Sequence, residues 1–271
     1  MAIEFWLVDA FTSQPFAGNP AAVVIVDTLE DEAWMQGVAA EFNLSETAFV
    51  GPVKRGRRRL RWFTPTTEVD LCGHATLAAS KVLLDSAAKA VVFTTRGGEL
   101  RCFAHADGDI VMDFPSDPSD QPADSDAVAE VLGTPVLRAG AGRHYVVAEL
   151  AGADHVATAT PDLAGVAQLG RGGLVITAAG DDGADVVCRM FAPQEGIDED
   201  PVTGSAWCAL APWWAPRVGD QFSAAQRSPR GGRLEVTLRG DRVELGGAAT
   251  IVASGRLRIE PSAGRTSPRE A

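Results

Sequence analysis

The chain has 271 residues, with 24 basic and 36 acidic side chains and a net charge of −12. This length predicts one large domain or two domains of about 130 residues each. The negative charge argues against nucleic acid as the main partner, because a phosphate backbone would be repelled. The four cysteines show no C-x-x-C spacing, so we expect reduced thiols and no zinc site.

The N-terminal segment lacks a basic region followed by an apolar run, so no signal peptide is expected. The longest uncharged stretch, 201–216, is shorter than the roughly 20 residues of a membrane span and contains three prolines. We therefore expect a soluble protein of the cytoplasm with no membrane partner.

The first part of the chain alternates strands with two helices. The apolar run at 21–26 predicts a buried strand, and the spacing of Trp34, Val38 and Phe42 predicts a helix over 30–42. Residues 73–84 carry one charge and should form a helix buried nearly all round. Further strands are predicted at 3–10, 47–53, 59–63, 90–95, 99–105 and 110–114.

A basic run interrupts this acidic chain. It is typical of a solvated hairpin turn, although a nucleic-acid patch or a partner surface is also open. Its members are Lys54, Arg55, Arg57, Arg58, Arg59 and Arg61.

The proline-rich segment 115–123 is the best domain boundary. Beyond it we predict helices at 126–132, near Asp162 and from Thr203, the last shortened or bent by Pro212 and Pro216. Strands are predicted at 144–150, 174–177 and 184–191, with an antiparallel meander over 233–259.

The two parts resemble each other, since each has strands, an acidic loop and one buried helix that opens on glycine. The helix openings are Gly73-His74-Ala75 and Gly204-Ser205-Ala206. This weak repeat predicts two similar halves, 1–115 and 123–260, each a sheet wrapped round a central helix. Residues 261–271 are expected to be a flexible tail.

The two helix openings are candidate anion sites. A helix N-terminus presents free N–H groups and partial positive charge, and glycine allows a ligand close to the backbone. If the halves face each other, both ends would point into one cleft and could bind a carboxylate. The alternative is that each glycine merely lets its helix start tightly.

Acidic side chains near these openings could move protons. Glu46 is predicted at a helix-to-strand junction between apolar residues, where a partly buried carboxylate could act as a general base. The alternative is an exposed glutamate in a connecting turn. His74 could shuttle protons or could simply bond to a nearby carbonyl at the start of the helix. Cys72 could be a thiolate or a small core residue. Asp200 or Thr203 could instead cap the second helix.

Other site types are not supported by the sequence. The four histidines are scattered, so a metal is not expected, and no G-x-G-x-x-G or P-loop indicates a nucleotide cofactor. Ser205 lies outside a G-x-S-x-G elbow, which argues against a hydrolase.

Four motifs in this order together resemble the PhzF-like phenazine biosynthesis isomerase family, which has a diaminopimelate epimerase-like fold. They are Asp9-Ala10-Phe11-Thr12 with Phe16-Ala17-Gly18-Asn19-Pro20; Asn43-Leu44-Ser45-Glu46-Thr47; Arg61-Trp62-Phe63-Thr64-Pro65 running into Leu71-Cys72-Gly73-His74; and Gly196-Ile197 with Glu199-Asp200-Pro201-Val202-Thr203-Gly204-Ser205.

The resemblance implies an α+β fold with two pseudo-symmetric halves, each a curved and mostly antiparallel sheet round a central helix. It also implies no cofactor and, as is usual in the family, a homodimer. It implies that Glu46 transfers the proton and that His74, Asp200 and Ser205 assist, with Asn19, Gly73 and Gly204 contributing to substrate binding. The best-known family activity isomerises trans-2,3-dihydro-3-hydroxyanthranilate, a small carboxylic acid.

Two rival functions remain open. One is an amino-acid epimerase or racemase that uses Cys72, although a two-thiol enzyme looks broken because the region of the second cysteine carries Asp200. The other is a non-catalytic protein that binds a small ligand. The sequence leaves open whether Trp207, Trp213 and Trp214 line the cleft, pack in the core or form the subunit interface, with core packing expected.

Overall fold

The computed structural model describes residues 3–84, 89–105, 108–259 and Pro261. The helices are α1 (Glu32–Phe42), α2 (Gly73–Leu84), α3 (Ser125–Leu132), α4 (Ala153–Thr158), α5 (Leu163–Gln168) and α6 (Gly204–Val218), with a short 3-10 turn at Pro193–Glu195. The strands are β1 (Ile3–Ala10), β2 (Asn19–Ile25), β3 (Glu46–Lys54), β4 (Arg57–Phe63), β5 (Glu68–Val69), β6 (Ala90–Thr95), β7 (Gly98–Ala104), β8 (Ile110–Pro115), β9 (Gln121–Pro122), β10 (Arg138–Ala141), β11 (Tyr145–Glu149), β12 (Gly173–Ala179), β13 (Val186–Ala192), β14 (Ile197–Asp200), β15 (Gln221–Gln226), β16 (Gly232–Arg239), β17 (Arg242–Gly247) and β18 (Ala249–Leu257).

Strand pairing repeats itself along the molecule. One half has the order β18-β1-β2-β3-β4-β6-β7-β8, and the other has the order β9-β10-β11-β12-β13-β15-β16-β17. Neighbouring strands are antiparallel in each half except for two parallel pairs. These are β2·β3 and β4·β6 in the first half and, at equivalent places in the second half, β11·β12 and β13·β15. The predicted α+β fold with two pseudo-symmetric halves is confirmed.

Each half surrounds one central helix. Helix α2 contacts β1, β2, β3, β6, β8 and β18, and α6 contacts β11, β15, β16 and β17. The first eight residues of α2, 73–80, are all buried. Small side chains such as Ala75, Ala78 and Ala79 let the strands approach on every side. This confirms the prediction of a helix buried nearly all round.

Helix α6 runs for 15 residues through both Pro212 and Pro216, so the expectation that they shorten it was wrong. A proline lacks the N–H that would bond to the carbonyl four residues earlier. For Pro212 that carbonyl belongs to Cys208, and it accepts instead from the N–H of Asp117, at 3.0 Å. Because the freed acceptor is satisfied from another segment, the helix continues.

The two halves are joined by strand pairing. β8 pairs with β17, and the last strand, β18, pairs with β1 although it follows the whole second half in the chain. The division at 1–115 and 123–260 stays a prediction, and β18 is a part of the second segment that extends the first sheet. The predicted tail lies outside the described residues apart from Pro261. No helix in the described ranges has the length and apolar character needed to cross a membrane.

The basic run forms the β3–β4 hairpin, with Arg55 and Gly56 at positive φ in the turn. Two of its arginines form ion pairs on the surface, Arg57 with Glu99 and Arg59 with Glu30. Arg61, whose side chain is only 12% exposed, pairs with Glu32 and Glu68. The hairpin interpretation is therefore confirmed.

Candidate active site

The N-termini of the two central helices touch each other at their glycines. A Cβ placed on Gly73 would lie 3.0 Å from the Cα of Gly204, and one placed on Gly204 would lie 3.1 Å from the Cα of Gly73. Both distances are shorter than an ordinary van der Waals contact, so a side chain at either position would push the two backbones apart. The two positive helix ends are thus brought to one place.

A cavity of about 330 Å³ opens at this junction. Its lining includes residues from both halves, among them Glu46, Gly73 and His74 from the first and Asp200, Gly204 and Ser205 from the second. Among the described residues that line the cavity, none is Lys or Arg. A carboxylate in this cavity would therefore depend on backbone N–H groups and histidine for its positive counterpart.

The N–H groups of α6 are not capped by the preceding side chain. Thr203 holds the N-cap position but makes no side-chain bond to the helix. Its hydroxyl donates to the Asp200 carboxylate instead. Asp200 and Thr203 therefore do not cap α6 with their side chains. The free N–H groups of its first turn remain available to a ligand.

Glu46 and His74 face each other at the cavity. Glu46 is the first residue of β3, and its side chain is 12% exposed, while His74 is the second residue of α2 and its side chain is 5% exposed. His74 Nε2 lies 3.1 Å from Glu46 Oε2. The geometry of this contact is not that of a hydrogen bond. Neither atom has a hydrogen-bond partner among the described residues. Catalytic pairs in ligand-free enzymes often show this imperfect alignment.

Cys72 lies on the other side of the same imidazole, with its Sγ 3.5 Å from His74 Nδ1. Burial raises the pKa of the Cys72 thiol, and the charge of Glu46 raises it further. Burial lowers the pKa of His74, but the neighbouring Cys72 and Glu46 outweigh burial and raise it overall. The result is a buried chain of thiol, imidazole and carboxylate.

Asp200 is held in a buried network that crosses between the halves. Asn19 Nδ2 donates to its Oδ1 at 2.8 Å, and the Thr203 hydroxyl donates to its Oδ2. Gln226 fixes the backbone beneath, donating to the Asp200 carbonyl at 2.7 Å and accepting from Thr203 N at 2.8 Å. Burial raises the pKa of Asp200 to about 6, with the charge of Glu46 contributing and that of His74 opposing.

Asn19 does not line the cavity. Its amide is directed at Asp200 and at the carbonyl of Val202, and its side chain is fully buried. Its place in the site is therefore that of a support for Asp200, and its predicted contact with substrate stays untested.

Ser205 is paired with a residue that the sequence analysis missed. Its Oγ lies 2.7 Å from the hydroxyl of Tyr145, and both residues line the cavity. Tyr145 begins β11, and burial raises the pKa of its hydroxyl. Tyr145 is the only tyrosine of the chain, and this was the one feature of the sequence that could have drawn attention to it. No local motif connects it with Ser205, which is 60 residues away.

The strand repeat identifies the residue equivalent to Cys72. Gly73 and Gly204 open equivalent helices, so the residues before them, Cys72 and Thr203, correspond. A two-thiol arrangement would need its second cysteine at Thr203, in the region that also carries Asp200. The described part of the chain places no second thiol along the cavity.

The ligand atoms of Glu46, Cys72 and His74 lie within 4.8 Å of one another, a separation that a metal ion could bridge. However, Cys72 meets Nδ1 of the imidazole and Glu46 meets Nε2. A metal would be bound by one nitrogen, so the arrangement fits a hydrogen-bonded chain better than a metal site. The expected absence of a metal stays a prediction.

The tryptophans lie away from the cavity lining. Trp207 and Trp214 are buried in the core, and Trp214 Nε1 donates to Thr177 at 3.0 Å. Trp213 lines a separate groove, where the Arg138 guanidinium stacks on its ring at 3.8 Å. Core packing is thus confirmed for two of the three.

Comparison with known proteins shows what the chain resembles. The model of the phenazine biosynthesis-like protein family matches residues 8–255. An uncharacterized isomerase of Pseudomonas aeruginosa is 44% identical, over 96% of this chain and 100% of its own. A solved PhzF family protein of Enterococcus faecalis has a TM-score of 0.90 at 39% identity, covering 96% of this chain and 100% of that chain.

A more distant structure shares the fold alone. A probable proline racemase of Agrobacterium radiobacter has a TM-score of 0.67 at 13% identity, covering 96% of this chain and 94% of that chain. The names of the nearer relatives support an isomerase function. The family match and the near full-length relatives show that this chain belongs to the PhzF-like phenazine biosynthesis family.

Proposed function

We propose that the protein is a cofactor-independent isomerase that moves a proton on a small carboxylic acid, with Glu46 as the general acid and base. The observation that carries the proposal is the Glu46–His74 contact at the meeting point of two helix N-termini. A substrate of the trans-2,3-dihydro-3-hydroxyanthranilate type fits this description, since it has one carboxylate and an activated carbon.

The carboxylate is bound by the N–H groups at the two helix starts, Gly73-His74 and Gly204-Ser205. Backbone donors suit this role here because no Lys or Arg stands among the lining residues that the structure describes. The four acidic residues of the lining would repel a second anionic group on the substrate: Glu46, Asp70, Glu195 and Asp200. This charge pattern supports a substrate with a single carboxylate.

Glu46 then takes a proton from the activated carbon. The electrons of the broken C–H bond move into the adjacent unsaturated system, and the protonated Glu46 returns the proton to another carbon of the same molecule. His74 and Asp200 stabilise the charge that develops on the substrate's polar groups. The buried position of the pair limits loss of the proton to water.

The homodimer and the cytoplasmic location are further expectations for this chain. The second candidate, an epimerase that uses Cys72, finds less support, since the thiol has a raised pKa and its equivalent position carries Thr203.

The proposal is tested by assaying conversion of trans-2,3-dihydro-3-hydroxyanthranilate and a panel of small unsaturated and amino acids. We expect Glu46→Gln to lower the rate by roughly 100-fold or more, because the proton carrier is removed. Glu41→Gln is the matched control, since Glu41 is an exposed residue at the end of α1, outside the cavity. Near-normal turnover by Glu46→Gln would remove Glu46 from the mechanism.

A further inference from the structure

Cys72 has no task in the proton transfer described above, yet it contacts the imidazole at the centre of the site. It is 6% exposed, and its Sγ lies 3.5 Å from His74 Nδ1. No other side chain is recorded as a hydrogen-bond partner of Nδ1 among the described residues. The thiol can therefore influence the protonation of the imidazole at the centre of the site.

A neutral thiol can serve Nδ1 in both protonation states of His74. Beside a neutral imidazole, the S–H group donates to an unprotonated Nδ1, which leaves the ring proton on Nε2. Beside an imidazolium ion, Nδ1–H donates to the sulfur, and Nε2 is protonated as well. Burial and the Glu46 charge both act against ionisation of the thiol, so it keeps this dual capacity near neutral pH.

The other ring nitrogen is the one that faces the proposed base. His74 Nε2 lies 3.1 Å from Glu46 Oε2. A proton on Nε2 makes this contact attractive in either state. If the proton of a neutral ring moved to Nδ1, the lone pair of Nε2 would face the carboxylate and the contact would become repulsive.

We propose that Cys72 is a positioning residue that keeps a proton on Nε2 of His74, facing Glu46, and that it is not itself the base. The inference rests on the proposed function for its catalytic meaning. It also matches the second half, where the equivalent residue, Thr203, uses its hydroxyl to orient the Asp200 carboxyl. Both residues that precede the central helices thus orient a polar side chain of the site.

The test compares Cys72→Ser and Cys72→Ala with wild type. A serine hydroxyl can donate to Nδ1 and accept from it as a thiol does, whereas alanine can do neither. The matched control is Cys102→Ala, because Cys102 is another buried cysteine, on β7, that does not line the cavity. Circular dichroism checks that each variant is folded.

The first readout is ¹⁵N NMR of the His74 imidazole in the substrate-free protein, recorded at a pH above the raised pKa of His74 so that the ring is neutral. The signal is assigned with a His74→Asn variant. We expect the Nε2–H tautomer of the neutral ring in wild type, Cys72→Ser and Cys102→Ala, and a mixture with Nδ1–H in Cys72→Ala. Because no substrate is present, this result is independent of the proposed function. An unchanged tautomer in Cys72→Ala would overturn the proposal.

The second readout is the pH profile of turnover. Cys72→Ala should lower kcat by about 100-fold, because misplacement of a catalytic group costs this much. KM should change little, and the pH profile of kcat should shift. Cys72→Ser should recover most of that loss. If Cys72→Ser were as inactive as Cys72→Ala while its tautomer remained that of wild type, the thiol would be the base and the proposal would fail.

Discussion

At the scale of single residues, the site depends on how burial and neighbouring groups set protonation. Asp200 accepts bonds from Asn19 and Thr203, yet burial still raises its pKa from 3.8 to about 6. The folded state therefore holds this proton to a higher pH than the unfolded chain does. The contribution of Asp200 to stability is greatest below pH 3.8 and is lost as the pH rises through about 6.

This sign gives a measurable pH dependence. The free energy of unfolding of wild type relative to Asp200→Asn should fall by about 2 kcal/mol between about pH 4.5 and about pH 7, because only wild type loses the effect. Denaturant unfolding at several pH values measures it. Replacing the side chain also changes the free energy of unfolding by a constant amount at every pH. The test is therefore how the difference between the two proteins varies with pH. A difference that stays constant with pH would contradict the raised pKa of Asp200.

Single residues also show what the sequence could and could not predict. Glu46, His74, Asp200 and Ser205 were found because each lies in a short local motif, and the structure brings all four to one cavity. Tyr145 and the supporting role of Gln226 were missed because their partners are distant in the chain. Hydrogen bonds between residues 23 to 60 apart leave no local pattern to read.

At the scale of elements, the site exists because two helix N-termini meet at glycine. Helix α2 was predictable from its run of small apolar residues, and the start of α6 from its similarity to that run. The length of α6 was not predictable, since the partner that satisfies Cys208 O comes from Asp117 in another segment. The expectation that proline ends a helix considers only the residues of that helix, so it cannot take account of a donor from another segment.

The contact between the helix starts predicts a penalty for a single methyl group. Gly204→Ala should destabilise the protein by about 1–3 kcal/mol, because the new Cβ would lie 3.1 Å from the Gly73 backbone and force the helices apart. It should also weaken carboxylate binding. Thermal unfolding and ligand titration measure the two effects.

Gly37→Ala is the control for this substitution. Gly37 lies within α1, and nothing lies within 4 Å of the position its Cβ would take. Alanine there should be neutral or slightly stabilising, since it favours a helix more than glycine does. If Gly204→Ala were tolerated as well as Gly37→Ala, the close approach of the two helices would be in doubt.

At the scale of the whole molecule, the two halves are held together by more than the strand pairs. Arg230, in the loop between β15 and β16, donates to Asp9 Oδ1 at 2.8 Å and to the carbonyls of Gly18 and Ala17. Asp9 is 3% exposed in its side chain and also accepts from Phe16 N. These bonds connect the loop before β2 to the second half.

Loss of this connection should be costly. Arg230→Ala should lower the free energy of unfolding by roughly 2–4 kcal/mol, because it leaves a buried carboxylate without its cation. Arg239→Ala should change it by less than about 0.5 kcal/mol, since Arg239 pairs with Glu244 at the exposed surface. Equal effects of the two substitutions in denaturant unfolding would show that the Arg230 contact contributes nothing special.

The repeat of the fold was visible in the sequence as a shared order of strands, acidic loop and buried helix, with two similar helix openings. The equivalence of eight strands in each half became clear from the pairing, because strand partners are set by long-range contacts. The same pairing shows β18 crossing back to β1, which a boundary read from composition cannot indicate. Composition marks where a linker lies along the chain, whereas hydrogen bonding decides which sheet a strand joins.

The most direct test of the central claim is proton NMR in D₂O with trans-2,3-dihydro-3-hydroxyanthranilate, comparing wild type with Glu46→Gln. The account predicts conversion by wild type, with solvent deuterium or the original proton on the accepting carbon, and essentially none by Glu46→Gln. Equal conversion by the two proteins would contradict the account, since the proton would then be moved by a group other than Glu46.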